Sequence, residues 1–189
     1  MLVTKTNPVG IDARLQTLQT ELHDRLLTRW KIGDGDYKAY GRCYKKPSDN
    51  GYIAVNYEGG ENYKEVYADK TLRALSFFGQ SAKVGFEQWE KTEVHLVFFV
   101  NLATLKPTIE HRADEEVRKD VITLFSPSLY GFEYQGFELY LENVLREYPG
   151  SRRDNRLSIV DLHPMHCFRI NLKFRYDINS NNCTPFTNF

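Results

Sequence analysis

The feature that most constrains the fold of this 189-residue chain is a strict alternation near its C-terminal end. From Phe168 to Tyr176 every second residue is apolar or aromatic, and the residues between them are basic or polar. Successive side chains of a β-strand point to opposite faces of a sheet. This pattern therefore predicts a strand with one buried face and one solvated, basic face.

A second periodicity, close to the N-terminus, predicts an amphipathic helix over residues 8–30. Apolar residues recur there at steps of three and four positions and share one helical stripe: Ile11, Leu15, Leu18, Leu22 and Leu26. Asn7 and Pro8 are expected to act as the cap and the first-turn proline of this helix, where the missing N–H group of a proline costs nothing. Gly33 and Gly35 follow the end of the predicted helix.

Residues 37–68 form a tyrosine-rich region in which short runs of aromatic and β-branched residues are separated by turn sequences. Such runs predict strands. The pair Gly59 and Gly60 lies between two of them and predicts a hairpin, because glycine adopts the positive φ angles of tight turns. Residues 69–90 show no pattern that predicts an element.

The second half of the chain predicts further strands and two helices. The segment 94–102 has apolar residues in both alternating sets, which is typical of a strand covered on both sides. After Pro107, apolar residues between positions 113 and 125 share one face of a helix. A strand over 130–138 and a short helix over 141–148 follow.

The order of these elements predicts an α+β fold, because the strands cluster rather than alternate regularly with helices. Its sheet is expected to be mainly antiparallel or mixed, flanked by the N-terminal amphipathic helix and two further helices. We expect a single domain over residues 1–189, made of the helix at 8–30, the tyrosine-rich β region at 37–68, the long strand, helix and final strand at 92–178 and a flexible tail at 179–189.

Composition argues against several classes of protein. The 25 basic and 25 acidic side chains cancel, whereas proteins that bind nucleic acid usually carry a basic excess. The apolar run from Leu96 to Val100 is far shorter than the ~20 residues of a membrane helix. The three cysteines show no disulfide or zinc-ribbon spacing. We therefore expect neither a membrane partner nor sequence-specific binding to nucleic acid.

Charge is nevertheless uneven along the chain. Residues 1–50 carry a net charge of +3, residues 51–107 of −1, residues 108–150 of −5 and residues 151–189 of +3. Opposite charges on different parts of a neutral protein suit head-to-tail contacts between copies. Ordinary solvated faces are the simpler alternative.

The sequence offers little catalytic chemistry. It contains no phosphate-binding, dinucleotide-binding, serine-hydrolase or zinc-protease motif. His163, His166 and Cys167 supply three metal-ligand types within five residues, but Pro164 and an extended chain place the two histidines on opposite sides. A strand entry with one packed histidine is favoured over a metal site. We expect no enzyme, no catalytic residue, no cofactor and no metal.

Basic residues near the end of the chain keep other functions open. They lie in a loop and on the last predicted strand: Arg152, Arg153, Arg156, Arg169, Lys173 and Arg175. Such a set can bind phosphate, so a nucleic-acid-binding module or a small metal-dependent enzyme remains an alternative. The same surface is also a site at which an acidic segment of another copy can dock.

The arrangement of these elements resembles the tail terminator, or tail completion, proteins of long-tailed bacteriophages. The resemblance rests on the opening helix, the strand and hairpin region with its glycine-rich tip, the segments HLVFFVNLATLKP and RADEEVRKDVITLF, and the closing segment HPMHCFRINLKFRYDI. It spans most of residues 8–178 and is a likeness of pattern rather than of a diagnostic motif.

This resemblance implies a structural role in the virion. Similar proteins form a ring, commonly a hexamer, that caps the head-proximal end of the tail tube and joins it to the neck. The implied partners are other copies of the chain, the tail tube protein and a neck or connector protein. The implied location is the virion, and the host cytoplasm during assembly. A neck or head-completion protein on the same axis is the nearest alternative.

Two pairs of residues are predicted to reach a neighbouring subunit or the tube. Gly59 and Gly60 lie at a hairpin tip, and Arg152 and Arg153 lie in a polar loop. Loops and hairpin tips are exposed, and plain solvent exposure is the alternative role for all four residues.

Overall fold

The computed structural model describes residues 1–86, 89–152 and 162–177, and it has the predicted α+β fold. The helices of the described residues are α1 (Ile11–Trp30), α2 (Leu102–Leu105), α3 (Asp114–Leu124) and α4 (Leu141–Val144). The strands are β1 (Leu2–Val3), β2 (Tyr37–Arg42), β3 (Tyr44–Ser48), β4 (Gly51–Gly59), β5 (Asn62–Glu65), β6 (Ala74–Phe86), β7 (Trp89–Asn101), β8 (Phe132–Glu138) and β9 (Met165–Asp177).

Within these residues the strands form two sheets. Six strands pair in the order β1-β2-β6-β7-β9-β8, and the other three pair in the order β3-β4-β5. In the larger sheet β1, β2 and β6 are parallel, while β6, β7, β9 and β8 pair antiparallel. The smaller sheet is antiparallel throughout. The prediction of a mixed, mainly antiparallel sheet is therefore confirmed.

Strand β7 lies at the centre of the larger sheet. It pairs with β6 along one edge and with β9 along the other. Every side chain from Val94 to Val100 is buried, on both faces of the strand. The predicted two-sided burial of this strand is confirmed.

One face of the larger sheet is covered by helices α1 and α3, and we call it the helix side. The apolar stripe of α1 and the buried residues Val117 and Val121 of α3 join one core with alternate residues of β7 and β9. The rings of Phe98 and Phe168, from neighbouring strands, stack there with centroids 4.9 Å apart. This packing is the reason why both amphipathic helices form where the sequence predicts them.

The opposite face is covered by the smaller sheet and by the segment after α4, and we call it the hairpin side. Phe77, Val97 and Phe99 of the larger sheet pack there in one buried cluster with Ala54 and Tyr148. The tyrosine-rich region thus has two roles: β2 belongs to the larger sheet, and β3–β5 form the separate layer above it.

The boundaries of α1 differ from the prediction. The helix begins at Ile11, and its N-cap is Gly10, which makes no side-chain capping hydrogen bond, so Asn7 and Pro8 precede the first turn. It ends at Trp30, because Lys31 adopts a left-handed conformation with φ of 53° and its N–H bonds back to the carbonyls of the last turn.

The expectation of a solvated basic face on β9 is wrong at its first basic residue. Arg169 is only 1% exposed, on the hairpin side of the sheet. Lys173 is half-buried, and the side chain of Arg175 lies outside what the structure describes. The alternation correctly predicts the strand, but a second layer of the fold covers the face that the sequence predicts to be exposed to solvent.

One strand of the structure has no counterpart in the prediction, and one predicted helix is shorter than expected. All of β6 falls in the segment 69–90, whose pattern predicts nothing because Leu75, Phe77 and Phe78 put apolar side chains on both faces and no regular alternation results. Only the first turn of the predicted helix at 141–148 is helical, since the chain leaves α4 after Val144. The predicted tail at 179–189 lies outside the described residues.

No helix in the described ranges combines the length and the apolar character needed to cross a bilayer.

Packing of α1 against the sheet predicts a large cost for removing one buried side chain of its stripe. Leu15 is fully buried, so Leu15→Ala should lower the free energy of unfolding by about 2–5 kcal/mol. Urea unfolding followed by circular dichroism measures this change. Val9→Ala, at a residue that is 80% exposed just before the helix, is the control and should change it by less than about 0.5 kcal/mol. Equal effects of both variants would contradict the packing described for α1.

Candidate functional site

The predicted contact residues lie in two different settings. Gly59 and Gly60 form the turn between β4 and β5 with φ angles of 107° and 58°, which confirms the hairpin. A methyl group added to either glycine would meet no atom within 4 Å, so the tip stands clear of the rest of the chain. Arg152 ends a 3-10 turn, Pro149–Arg152, but its side chain and all of Arg153 lie outside the described structure.

A groove of about 600 Å³ runs beside this hairpin. Its walls are the N-terminal segment 3–9, the first turn of α1 and strands β3 and β4 up to Gly59. Lys5 Nζ lies 3.0 Å from an Asp12 carboxylate oxygen and donates a 3.0 Å hydrogen bond to the Tyr44 hydroxyl. Arg42 reaches the same carboxylate, with Nε 2.7 Å from its other oxygen.

Aromatic rings extend the groove along the smaller sheet. Tyr44, Tyr57 and Tyr63 contact one another, with ring centroids between 5.2 and 6.5 Å apart. The cationic groups of Lys5 and Arg42 lie 4.8 and 5.0 Å from the centroid of the Tyr44 ring, within the range of cation–π attraction. The charged side chains that line the groove are Lys5, Asp12 and Glu58, and the tyrosines that line it are Tyr44 and Tyr57.

The histidine and cysteine cluster near the start of β9 is not assembled as a metal site. His163 is exposed before the strand, His166 is buried on the helix side and Cys167 is buried on the hairpin side. His166 lies between two guanidinium groups, 2.9 Å from Arg112 and 3.1 Å from Arg118. Cations at both ring nitrogens disfavour a metal ion there. Among the residues that the structure describes, no group of three or more potential ligands meets the geometry of a metal site.

The structure brings together a polar cluster that sequence reasoning missed. Its centre is His95 of β7, which is completely buried. The Ser81 hydroxyl oxygen lies 2.8 Å from His95 Nδ1, and the Tyr148 hydroxyl lies 3.3 Å from Nε2. A β-bulge between Gln80 and Ala82 places Ser81 out of the regular register of β6, which aims its hydroxyl at the histidine.

Arg169 connects this cluster to the edge of the sheet. Its guanidinium donates to both carboxylate oxygens of Glu147 and, at 3.1 Å, to the Ser81 hydroxyl. Its Nε donates to the Asn171 side chain at 2.6 Å, and Asn171 in turn donates to Glu138. A buried guanidinium is tolerated here because a carboxylate and several acceptors surround it.

A polar cavity of about 200 Å³ adjoins this network. Ser81, Gln135 and Asn171 line it together with the charged side chains of Arg169 and Lys173. Gln135, like Ser81, lies at a β-bulge, between Tyr134 and Gly136 of β8. Irregular positions on two strands of the sheet thus face the same small cavity.

Ser81 and His95 have the contact expected of a nucleophile and its base, but the environment opposes that chemistry. Burial, and secondarily the positive charge of Arg169, lower the pKa of His95 to about 3. A general base works best with a pKa near the working pH, so this imidazole is a weak proton acceptor. The arrangement suits a neutral histidine that accepts the Ser81 proton in a fixed hydrogen bond.

The carboxyl group of Glu147 is held in its charged form. Burial alone would raise its pKa, but the Arg169 hydrogen bonds and neighbouring charges outweigh that effect and lower the pKa to about 2. The pair therefore stays ionised over the whole physiological range and fixes the segment after α4 to β9.

Two signals in the sequence point to this cluster. His95 is the one polar residue in the apolar run from Val94 to Val100, and a polar side chain there requires a buried partner. Gly79 interrupts the apolar run of β6, where a Cβ atom would lie 2.2 Å from both His95 Nε2 and the Tyr148 hydroxyl oxygen. Neither signal identifies Ser81, Glu147 or Arg169 as the partners, since these come from distant parts of the chain.

Comparison with known proteins adds no family to this description. No protein-family model matches the chain, and a search of curated proteins returns no match. Function is therefore inferred from the geometry and from the pattern of the sequence.

Acid pH should destabilise the protein through His95. An unfolded histidine has a pKa near 6.5, whereas the folded value is about 3, so the unfolded state binds the proton more readily between these values. Stability should fall as the pH drops below 6.5, by at most about 1.4 kcal/mol per pH unit from this residue. His95→Gln should reduce the dependence of the urea unfolding midpoint on pH between pH 6.5 and 4.5.

His163→Gln, which changes an exposed histidine, is the control for this pH dependence and should keep the slope of the unmodified protein. The window stops at pH 4.5 because Glu147 contributes below it: its pKa is depressed, so its stabilisation is lost as the pH falls from about 4.5 towards 2. An unchanged slope in His95→Gln would show that this histidine is protonated in the folded state.

Close packing around Gly79 predicts that the smallest substitution there disrupts the cluster. In Gly79→Ala the new methyl group must displace the rings of His95 and Tyr148, which are both buried, so stability should fall by about 1–3 kcal/mol. Thermal unfolding measures the loss. Gly35→Ala, whose methyl group would meet no atom within 4 Å, is the matched control. Similar melting temperatures for the two variants would contradict the contact at Gly79.

Proposed function

We propose that this chain is a structural protein of a bacteriophage virion, a tail terminator. It forms a ring, commonly of six copies, that caps the head-proximal end of the tail tube and joins it to the neck. Its partners are other copies of itself, the tail tube protein and a neck or connector protein. It acts in the virion and, during assembly, in the host cytoplasm, without catalysis or a cofactor.

The observation that supports this proposal most is an exposed aromatic surface on β8, the end strand of the larger sheet. Tyr134 and Phe137 are each 44% exposed. They pair with Leu172 and Ile170 of β9, whose side chains belong to the helix-side core, so both rings lie on that face of the sheet. The bulge at Gln135 puts residues three apart on the same face.

The position of these rings suits contact between subunits. In the part of the chain that the structure describes, no strand pairs with the outer edge of β8. Both faces of the sheet are covered at its centre, so the outermost strands remain for contacts with neighbouring subunits. Aromatic residues are enriched at protein interfaces, because each ring buries a large area at little cost in conformational entropy.

The alternatives receive less support from the geometry. Arg169, one of the basic residues assigned to a phosphate-binding face, is buried against Glu147. This contact also joins the acidic segment 108–150 to the basic segment 151–189 within one copy, so these two segments support contacts between copies less than their charges suggest. A neck or head-completion protein would form rings as well, and binding to isolated tail tubes rather than to tailless heads distinguishes the two roles.

The first experiment measures mass by light scattering at two protein concentrations and two salt concentrations, with metal content determined on the same sample. A closed ring, or a mass that rises towards one with concentration, is the expected result. The second step adds the protein to tail tubes and asks by electron microscopy whether it binds one tube end. A protein that stays monomeric and does not bind tube ends would overturn the proposal. One transition-metal ion bound per chain would overturn it as well.

The aromatic surface of β8 predicts a specific loss of assembly. The double variant Tyr134→Ser/Phe137→Ser should weaken self-association by about tenfold or more, because losing two aromatic rings that the proposed contact buries removes at least ~1.4 kcal/mol from it. Sedimentation velocity over a dilution series measures the change. Tyr52→Ser, at an exposed tyrosine of the smaller sheet, is the control and should assemble normally. Circular dichroism checks that each protein is folded. If the unmodified protein, the double variant and the Tyr52→Ser variant then assemble equally, β8 is excluded from the contact.

A further inference from the structure

We propose that the smaller sheet is a flap that opens as a unit, and that residues 147–151 are the latch that holds it closed against the larger sheet. The flap consists of β3, β4 and β5, which lie within residues 44–65. This inference concerns a single copy of the chain and does not depend on the proposed ring.

The flap has little buried surface of its own. Every residue of β3 and β5 is exposed or half-buried, and the buried residues of β4 are Ala54, Val55 and Asn56. A small sheet with so few buried apolar side chains depends on its contacts with a neighbouring layer. Folded proteins open locally where such contacts are fewest, so the flap has the features of a segment that opens before the core unfolds.

The latch contacts the flap at and just after the turn between β3 and β4. A Cβ atom added at Gly150 would lie 2.6 Å from Ser48 Oγ and 2.9 Å from the carbonyl oxygen of Tyr52, so the two segments touch without space for a side chain. The backbone N–H of Ala54 donates to Ser151 Oγ at 3.4 Å, which is long for a hydrogen bond. Close packing and this weak hydrogen bond hold the flap end of the latch.

The other end of the latch is attached more strongly to the larger sheet. The guanidinium of Arg169 donates to both carboxylate oxygens of Glu147. Tyr148 is completely buried, and its ring lies edge-on to that of Phe77 with centroids 5.6 Å apart. Charge-assisted hydrogen bonds are about twice as strong as neutral ones, and Tyr148 adds the burial of a whole aromatic side chain. The latch therefore stays with the larger sheet when the flap opens.

The chain enters and leaves the flap at neighbouring positions. Tyr44 and Glu65 both pair with Val55, from opposite sides of β4. Cys43 and Val66, which lie just outside the flap, are buried in the hairpin-side cluster, and the Cys43 N–H donates to a carbonyl oxygen of β6 at 2.7 Å. Both connections are thus fixed beside the middle of β4, and the flap can turn about this line without breaking the larger sheet.

This arrangement connects the latch to the hairpin tip. Strand β4 runs from Gly51, which lies against Pro149 of the latch, to Gly59 at the tip, with Val55 halfway between. Four residues of a strand span about 13 Å on each side of that point. Movement of the tip therefore moves the turn at the latch. A neighbour that binds the tip more tightly in one position of the flap shifts the flap towards that position.

Amide hydrogen exchange of the whole protein, measured by mass spectrometry, tests the flap and its latch. In the unmodified protein the amides of β4 should exchange at least about tenfold faster than those of β7, because opening of the flap exposes them without unfolding of the core. Gly150→Ala pushes the latch and the flap apart and should speed exchange within residues 44–65 about tenfold further. Exchange in β7 and β9 should stay within about twofold of the unmodified protein.

Two further variants complete the comparison. Ser151→Ala removes the hydrogen bond from Ala54 and should speed exchange in the flap by about threefold, so it tests the latch even if Gly150→Ala does not fold. Gly35→Ala makes the same chemical change as Gly150→Ala where the new methyl group meets no atom within 4 Å. This matched control should leave exchange in both sheets unchanged. Circular dichroism checks that each variant is folded.

Three results would overturn the inference. One is exchange in β4 of the unmodified protein as slow as in β7. Another is an equal increase in both sheets of a latch variant, which would show that the two sheets unfold together. The third is unchanged exchange in the flap of both latch variants. None of these results bears on ring formation, which light scattering measures separately.

Discussion

Two-sided burial of the central strand is the constraint on which the rest of this structure depends. Between Val94 and Val100, β7 places apolar side chains on both faces, so neither face can be left in water. Helices α1 and α3 cover one face, and the smaller sheet and Tyr148 cover the other. The single histidine in this run must then find its partners within the covering layer. Ser81 and Tyr148 supply them, so the position of the hairpin side is fixed by hydrogen bonds as well as by packing.

These layers explain where a neighbour can bind. Because both faces of the sheet centre are occupied, the surfaces that we propose for contact are the end strand β8 and the hairpin tip. Tyr134 and Phe137 give β8 an aromatic surface, whereas glycine and glutamate, from Glu58 to Glu61, make up the hairpin tip. The ring that we propose needs two different contact surfaces on each subunit, and β8 and the hairpin tip are the candidates.

The sequence predicts elements better than it predicts layers. The stripe of α1, the two-sided burial of β7 and the Gly59–Gly60 hairpin depend on local periodicity and turn chemistry, and all three are confirmed. Arg169 shows the limit: alternation gives its face of the strand, but only the approach of Glu147 from another part of the chain decides that this face is buried. Likewise the groove beside the Gly59–Gly60 hairpin forms from segments that are far apart in sequence, which no local pattern reveals.

The pairing of β7 with β9 has a consequence for biosynthesis. Asn101 pairs with Met165, and the register runs on from there, so the two central strands are joined by a long stretch of chain that includes α3 and β8. Until β9 leaves the ribosome, one edge of β7 has no partner and its apolar side chains lack half of their surroundings. Strand pairing between residues so far apart in sequence is slow and exposes nascent chains to aggregation. Completion of this fold therefore waits for the last described strand to be synthesised.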